Sequence, residues 1–421
     1  MQIVRFELER YRSFAHRTEL RLRPITVIFG YNSAGKSALL RALPLLAASA
    51  GGAQYGPLAL DADVARGATW DDLLARHQRR NQMDFRVVWN DAGPVAEIEW
   101  RLKGEDGSHR IESLRCIRVD GSVALELRAD IEEDETFQVI AGPSETIPRA
   151  RIAFDGLRPE PTFDRIEGKL PEDAEQVLVA AHRLVGSMKR SVQWLGAIRR
   201  SPGRLMTRRG VPRHLSGDGW WAWDALAEDA AGDRGLQRVV SGDLERMFPH
   251  RLRVEVNGTE YRVSLEPTAG EPFPVSVLDV GEGVVQVLPV LTTLAMAERG
   301  DLGQGPTLAM EQPEMHLHPR AEIVLAEVMA RVATSSSHPN LLLETHSENL
   351  LLSLELMVAR GRLTPTDVSI LWVSQDQGVS RVRELSLDNQ GRIADWPPGV
   401  FSEDLDLSRQ LLRARREAKG P

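Results

Sequence analysis

Uninterrupted apolar runs along the chain predict a sheet that is covered on both faces. Residues 25–29, 308–310, 341–343 and 368–373 contain no charged side chain. Such runs are typical of parallel strands buried between two layers, and segments with helix-forming residues lie beside them. The pattern therefore predicts an α/β fold around a central parallel sheet.

A second pattern alternates apolar and polar residues between about residues 85 and 154. Residues 85–89, 96–102 and 122–127 alternate in this way, with Asp, Gly and Asn between the runs. Alternation of this kind favours antiparallel strands with one buried face. Residues 171–248 read mainly as helical, so we expect an antiparallel lobe and a helical segment between the parallel strands.

Composition limits the classes of protein that remain. The chain has 421 residues, 42% of them hydrophobic, and a net charge of −8. This length suggests two or three domains, and the charge gives no overall attraction to nucleic acid or anionic lipid. Cys116, the single cysteine, excludes an intramolecular disulfide and a cysteine-rich zinc site. With no apolar run of membrane-spanning length and no visible secretory signal, we expect a cytoplasmic protein without a membrane partner.

One loop carries the strongest chemical signal. Residues 30–37 fit the pattern G-x-x-x-x-G-K-[ST] and lie between an apolar strand and a helix-forming run. In this context successive backbone N–H groups and a helix N-terminus face a phosphate. We expect Lys36 to reach the β- and γ-phosphates and Ser37 to bind Mg²⁺. The predicted nucleotide-binding residues of the loop are Gly30, Asn32, Ser33, Ala34, Gly35, Lys36, Ser37 and Ala38.

Polar residues at the ends of later strands complete such a site. Glu311 follows residues 308–310 and is placed to hold Mg²⁺ or its waters, and His346 follows residues 341–344 and can reach a γ-phosphate. His316 and His318 have the spacing of a zinc pair, but no further ligand lies near them in the sequence, so we do not predict zinc.

A second glycine-flanked helix start lies at residues 278–283. Asp279, Gly281 and Gly283 precede an apolar helix over residues 284–297. A helix N-terminus attracts phosphate, so this segment is a second phosphate-facing surface. Two such surfaces in one chain suggest that one serves the nucleotide of a second copy.

Together these residues resemble the ABC-type ATPases of the SMC/RecF kind. More narrowly, the chain is similar to the short, armless bacterial AAA-family ATPases, which are OLD-like without a TOPRIM domain. Residues 286–289, the tetrapeptide at 311–314 and the tail at 395–401 support the narrower resemblance. The motifs correspond to Walker A at 30–37, the signature at 278–283, Walker B at 310–314, the D-loop at 316–319 and the switch histidine at His346.

The resemblance implies a P-loop NTPase head of ABC type with an antiparallel β lobe and a helical insert. It also implies a head-to-tail dimer that closes around two ATP molecules and uses Mg²⁺. The implied division is an N-terminal part of the head with Walker A and the β lobe (1–170), a helical, arginine-rich insert (171–270), a C-terminal part of the head (271–385) and a tail helix (386–421).

Two positions depart from the family pattern. Gln312 stands where most of the superfamily has the glutamate that polarises the attacking water, and an amide cannot accept that proton. Loss of a general base typically costs about 10²–10⁴ in rate. Either Glu314 substitutes for it or hydrolysis is slow. Asp279 replaces the usual signature serine, and we expect it to cap the helix or to bind an arginine.

An arginine-rich segment suggests a nucleic-acid surface. Nine Lys or Arg residues and no Asp or Glu lie between residues 176 and 217. Such segregation fits contact with a phosphate backbone. Alternatively, some of these arginines pair with acidic residues on neighbouring helices. The residues predicted to contact DNA are Arg199, Arg200, Arg204, Arg208, Arg209 and Arg213.

Three functions remain open from the sequence. The first is an ATP-hydrolysing dimer in DNA maintenance or anti-phage defence that controls a partner effector protein. The second is a nucleotide-gated sensor or scaffold with little or no hydrolysis, which Gln312 favours. The third, a self-contained nuclease, is disfavoured because too few residues follow the last predicted strand. Glu403, Asp404 and Asp406 fit the start of a terminal helix better.

Overall fold

The computed structural model describes residues 1–397, 409–411 and 414, except for the short stretches 54–55, 76–80, 91–92, 106–107, 131–134, 142–144, 166–171, 211–214, 233–234 and 272. In these described parts no helix has the length and apolar character needed to cross a membrane. Most of the predicted tail helix, with Glu403, Asp404 and Asp406, lies outside the described residues.

The strands, in chain order, are β1 (Ile3–Glu9), β2 (Thr18–Arg21), β3 (Ile25–Gly30), β4 (Gln82–Trp89), β5 (Glu97–Glu105), β6 (Ser108–Ile117), β7 (Val123–Ala129), β8 (Thr136–Ala141), β9 (Glu145–Asp155), β10 (Arg158–Arg165), β11 (Val192–Leu195), β12 (Met206–Thr207), β13 (His250–Asn257), β14 (Glu260–Pro267), β15 (Val275–Ser276), β16 (Thr307–Glu311), β17 (Asn340–Glu344), β18 (Val368–Asp376) and β19 (Val379–Leu385). The helices are α1 (Lys36–Ala48), α2 (Trp70–Leu73), α3 (Glu172–Ser191), α4 (Trp221–Gly232), α5 (Leu236–Met247), α6 (Glu282–Glu298), α7 (Pro319–Ala333) and α8 (Glu348–Ala359). Two short 3-10 turns cover Asp63–Ala65 and Val277–Asp279.

The parallel sheet carries the phosphate loop. Its strands follow the order β11-β16-β17-β3-β18-β19, and all neighbours are parallel except the edge strand β19. The predicted runs at 25–29, 308–310, 341–343 and 368–373 are therefore its four central strands. Because β16, β17 and β3 are adjacent and parallel, their carboxyl ends meet at one edge, where ligands bind in open α/β sheets.

The antiparallel lobe is a nine-stranded sheet in the order β10-β9-β8-β7-β6-β5-β4-β1-β2. A smaller sheet joins β12, β14, β13 and β15. These sheets confirm the predicted α/β class with an antiparallel lobe. Within the range 171–270, the described residues form three helices, but they also form β12–β14 of the smaller sheet and β11, which is an edge of the parallel sheet. The segment is thus not purely helical, and part of it completes the head.

Two hydrophobic cores lie on opposite faces of the parallel sheet. Ala309 of β16 packs into the core shared with α1, α3 and the antiparallel lobe, whereas Leu308 and Met310 pack into the core formed with α4–α8. Alternation of this kind follows from the two-residue period of a strand. Since both faces are buried, the central strands are mostly apolar, with Thr26 and Ser369 as buried uncharged exceptions, which explains why the runs contain no charged side chain.

A buried histidine ties the antiparallel lobe to the chain that follows α1. His109 on β6 stacks on Trp70 with 5.0 Å between ring centroids, and its Nε2 accepts the N–H of Leu58 at 2.9 Å. Burial lowers the pKa of His109 to about 4. Accepting the Leu58 N–H also requires the neutral ring.

We predict that this histidine makes the fold sensitive to mild acid. The unfolded chain binds a proton at His109 near its ordinary pKa of 6.5, while the folded chain stays neutral until about pH 4. The folded state therefore loses stability as the pH falls through this window, by no more than about 3 kcal/mol. Denaturant unfolding of wild type and His109→Gln at pH 7 and pH 4.5 measures this loss.

The glutamine carbonyl can still accept the Leu58 N–H, so His109→Gln should lose less stability on acidification than wild type. The exposed His16 provides the matched control, and His16→Gln should behave like wild type. Equal acid sensitivity of all three proteins would contradict the prediction.

Candidate functional site

The phosphate loop is built on backbone conformations that glycine permits. Gly30 and Gly35 have φ angles of 150° and 103°, and Ser33 is also left-handed at 62°. A Cβ at Gly30 would lie 2.1 Å from the carbonyl oxygen of Val373. Ser380 on β19 supports the loop from behind, since its hydroxyl donates to the Ala34 carbonyl at 2.6 Å. The glycines at 30 and 35 thus serve the close approach of the loop to β18 and β19.

Lys36 lies inside the curve of this loop. Its Nζ donates to the carbonyls of Gly30 at 3.0 Å and Tyr31 at 2.8 Å, and the residue is only 4% exposed. Burial lowers the pKa of Lys36, against the opposing effect of the nearby Glu344 carboxylate. The ammonium group is therefore held at the loop by backbone oxygens and one neighbouring acid. Asn32 and Ser33 lie exposed at the loop tip, while Ala38 follows on α1.

Two buried carboxylates lie side by side at the ends of β16 and β17. Glu311 and Glu344 are register partners, 2% and 4% exposed. The sequence predicted that Ser37 and Glu311 share a metal, but the structure pairs them differently. The Ser37 hydroxyl donates to Glu344 Oε1 at 2.8 Å.

Glu311 is engaged by other donors. Arg41 donates Nε to Oε1 at 2.6 Å and NH2 to Oε2 at 2.5 Å, and Trp194 Nε1 donates to Oε1 at 2.8 Å. Arg41 lies one helical turn after Ser37 on α1 and so points to the same edge of the sheet. A bidentate pair of this kind directs the Glu311 carboxylate toward Arg41 rather than toward Ser37.

Glu344 is the residue that sequence reasoning missed. It ends an apolar strand next to the phosphate loop, which is the same signal that singled out Glu311. Its Oε2 has no hydrogen-bond partner among the described residues. Burial raises the pKa of Glu344, while the Ser37 hydrogen bond opposes that rise. A buried acid oxygen, on a carboxylate whose other oxygen contacts the loop serine, suits a divalent cation, because Mg²⁺ prefers oxygen ligands.

Glu314 holds the segment that carries the predicted switch histidine. Its Oε1 accepts the Thr345 hydroxyl at 2.7 Å and the backbone N–H of His346 at 2.9 Å. Glu314 is 7% exposed, and burial raises the pKa of its carboxyl group. Partial burial, and then the positive charge of Lys36, lower the pKa of His346. The charge of the loop lysine thus acts on the His346 ring, and the contact of His346 with a γ-phosphate stays a prediction.

Gln312 occupies a strained position at the same edge. Its φ angle is 41°, and its backbone N–H donates to the Glu344 carbonyl at 2.8 Å. Its carbonyl accepts from Arg199 NH2 at 3.1 Å. The backbone of Gln312 is therefore fixed, and a left-handed conformation in a non-glycine residue is a feature that collects at functional sites.

The signature segment presents its helix start at the surface. Gly281 is exposed, and a Cβ there would meet nothing within 4 Å, whereas a Cβ at Gly283 would lie 2.5 Å from the His316 carbonyl oxygen. Asp279 accepts two hydrogen bonds from Arg204, each 2.7 Å long. Of the two expectations for Asp279, the structure thus shows the arginine pair.

One histidine of the predicted D-loop caps a helix. His318 is the N-cap of α7 and accepts the N–H of Arg320 through its side chain. Across the described part of the chain, no group of three or more His, Cys, Asp and Glu residues is placed to hold a metal ion.

In the described part of the arginine-rich segment, several arginines that were predicted to contact nucleic acid contact other residues of the protein instead. Arg199 is buried at 2% exposure, and its NH2 donates to the Glu311 carbonyl at 2.7 Å, so the prediction that it contacts DNA is wrong. Arg204 pairs with Asp279 and Arg208 pairs with Glu228. The remaining predicted contacts are Arg200, which stacks on Trp220, the exposed Arg209, and Arg213, which lies outside the described residues.

Comparisons with known proteins bear on this site. Residues 250–351 match the AAA ATPase domain family, and residues 363–411 match a family described as a protein of unknown function, DUF3696. The first match covers the signature, Walker B and switch histidine segments but not the phosphate loop. No curated protein matches the sequence.

Solved structures match over nearly the whole chain. An SMC head bound to the C-winged helix domain of ScpA is 13% identical, with a TM-score of 0.50 over 92% of this chain and 99% of that chain. The SMC head domain from Thermotoga maritima is 11% identical, with a TM-score of 0.45 over 92% and 100%. A Pyrococcus furiosus SMC head with an extended coiled coil, bound to the C-terminal domain of ScpA, is 12% identical, with a TM-score of 0.49 over 99% of each chain.

Because the sequence identity is only 13%, the first structure is evidence for the fold alone. The family match is evidence for residues 250–351 alone. Both agree with the resemblance predicted from the motifs. The chain therefore has the fold of an SMC head domain, and its residues 250–351 are similar to the AAA ATPase domain family.

Proposed function

We propose that the protein binds ATP with Mg²⁺ at the phosphate loop, hydrolyses it slowly, and closes head to tail with a second copy around two ATP molecules. The observation that carries the proposal is the convergence at one sheet edge of the Lys36 ammonium, the Ser37 hydroxyl, the Glu311 and Glu344 carboxylates and His346. Each is a group that recurs in phosphoryl-transfer sites.

The residues present fit a nucleotide phosphate and a divalent cation. The phosphate loop precedes the N-terminus of α1, where backbone N–H groups attract phosphate, and Glu344 offers a buried oxygen that has no hydrogen-bond partner among the described residues. Mg²⁺, when bound, would neutralise negative charge on the β- and γ-phosphates. Lys36 would bind the phosphates, Glu314 would hold His346 in place, and Gln312 would orient a water without taking its proton.

The dimer is proposed from the exposed signature. Gly281 and Glu282 lie exposed at the start of α6, where a helix N-terminus attracts phosphate. Leu278 and Leu205 are also exposed beside the Arg204–Asp279 pair. An exposed apolar and charged surface next to a phosphate-facing helix start fits a second copy of the head.

A partner protein is part of the proposal. The SMC head with the TM-score of 0.50 is bound to a domain of ScpA. We propose by analogy that nucleotide occupancy of this head controls an effector protein in DNA maintenance or anti-phage defence. Direct DNA binding is the weaker candidate, because Arg199 is buried and Arg204 and Arg208 are already paired.

We predict that Lys36→Ala weakens ATP binding roughly 10- to 100-fold, since hydrogen bonds to charged groups contribute about 1.5–3 kcal/mol. Calorimetric titration with ATP and Mg²⁺ measures the change. Lys103→Ala, at an exposed ion pair on β5, is the matched control and should bind ATP as wild type does. Equal ATP affinity of Lys36→Ala and wild type would contradict the proposal that ATP binds at the phosphate loop.

A second prediction concerns the dimer. Gly281→Glu should fold normally, because its Cβ meets open space and its φ of −150° suits any residue. The added carboxylate should repel the phosphate of a second copy's nucleotide. We therefore expect ATP binding by the monomer to persist and ATP-induced dimerisation to be lost. Light scattering with and without ATP measures the mass of the particle. An ATP-induced dimer of Gly281→Glu would show that the start of α6 is not the dimer interface.

A third prediction distinguishes slow ATP hydrolysis from a nucleotide-gated sensor that does not hydrolyse ATP. Two residues favour the sensor: Glu314, whose Oε1 already accepts two hydrogen bonds, and Gln312, whose amide cannot accept a proton. Gln312→Glu should raise the multiple-turnover rate of phosphate release by about tenfold or more, because it restores a general base that typically contributes 10²–10⁴. Folding is checked by melting temperature. Turnover that is absent in wild type, and still absent in a folded Gln312→Glu, would favour the sensor.

A further inference from the structure

The two strand-end carboxylates are not equivalent. Both oxygens of Glu311 accept hydrogen bonds from Arg41, and Oε1 also accepts from Trp194. Arg41 is itself largely buried, with 13% of its side chain exposed. A cation that bound the Glu311 carboxylate would have to displace a buried guanidinium, which would then lack its charge partner.

Glu344 has the opposite character. One oxygen accepts the Ser37 hydroxyl at 2.8 Å, while Oε2 is buried and has no hydrogen-bond partner in the described parts of the chain. Only 4% of the surface of Glu344 is exposed. A buried carboxylate oxygen without a partner is costly, and a bound cation would relieve that cost.

We propose that Glu344, together with Ser37, holds the divalent cation that accompanies the nucleotide, and that Glu311 is a positioning residue that fixes α1 against β16 and β11. The inference rests on the proposed function, because it assigns the metal carboxylate of the same ATP site. The metal carboxylate is thus assigned to the end of β17, whereas the sequence predicted it at the end of β16. Glu311 then acts through Arg41 and Trp194 rather than through the metal.

The test compares ATP affinity in Mg²⁺ with ATP affinity in EDTA by calorimetry. Wild type should bind more tightly in Mg²⁺. Glu344→Gln keeps an amide oxygen for the Ser37 hydroxyl but removes the charge, so its affinity in EDTA should match or exceed that of wild type. Its enhancement by Mg²⁺ should fall at least about tenfold, the loss expected when a charged ligand becomes neutral.

One variant serves as a matched control, and a second tests the role of Glu311. Glu260→Gln, at an exposed residue of β14, should keep the full Mg²⁺ enhancement. Glu311→Gln should also keep the enhancement but should melt at a lower temperature, because it leaves Arg41 buried without a charge partner.

Tryptophan emission gives a second readout that needs no change at either glutamate. Trp194 donates to Glu311, so a cation that binds Glu311 would alter the surroundings of this indole. We expect the emission change on adding Mg²⁺ to ATP-bound protein to be the same in wild type and in Trp194→Phe. This measurement keeps the proposal testable if Glu344→Gln does not fold.

The outcomes separate the two proposals. Full Mg²⁺ enhancement in Glu344→Gln with its loss in Glu311→Gln, or a Mg²⁺ signal that vanishes in Trp194→Phe, would overturn the assignment of Glu344 and leave ATP binding intact. No binding of ATP to wild type in either condition would overturn the proposed function itself.

Discussion

The burial of two adjacent carboxylates is the constraint around which this head is organised. Glu311 and Glu344 end neighbouring parallel strands in register, and both are almost completely buried. Unpaired charges at such positions would be prohibitively costly, so positive and hydrogen-bonding groups must be supplied nearby. The loop and the first turns of α1 supply Lys36, Ser37 and Arg41, and β11 adds the indole N–H of Trp194. Pairing the strand ends therefore also fixes the phosphate loop.

A second set of contacts links this edge to the signature helix. The Arg199 side chain donates to the carbonyls of Glu311 and Gln312 and to that of Gln286 on α6. Gln286 in turn donates to the Arg199 carbonyl and to Glu282 in the first turn of α6. Burial lowers the pKa of Arg199 to about 10, so it stays charged at neutral pH. A buried arginine thus connects β16 to the surface that we propose meets a second copy.

The sequence predicted the parallel strands, the antiparallel lobe and the loop well, because each depends on local periodicity or on glycine at fixed offsets. It did not assign partners to side chains, which depend on packing between distant segments. The charge run around Arg199 indicated a surface, yet Arg199 is buried because carbonyls from β16 and α6 surround it. The motif resemblance singles out Glu311 and not Glu344. The four residues of β11 follow α3 directly, so the sequence pattern does not separate this strand from the helical segment.

The most direct measurement of the central claim is a crystal structure of the protein with a non-hydrolysable ATP analogue and Mg²⁺. The account predicts phosphates in contact with Lys36 and the loop N–H groups, a metal in contact with Ser37 and Glu344, and an intact Arg41–Glu311 pair. A metal on Glu311 with Arg41 displaced, or a nucleotide bound away from the loop, would contradict it.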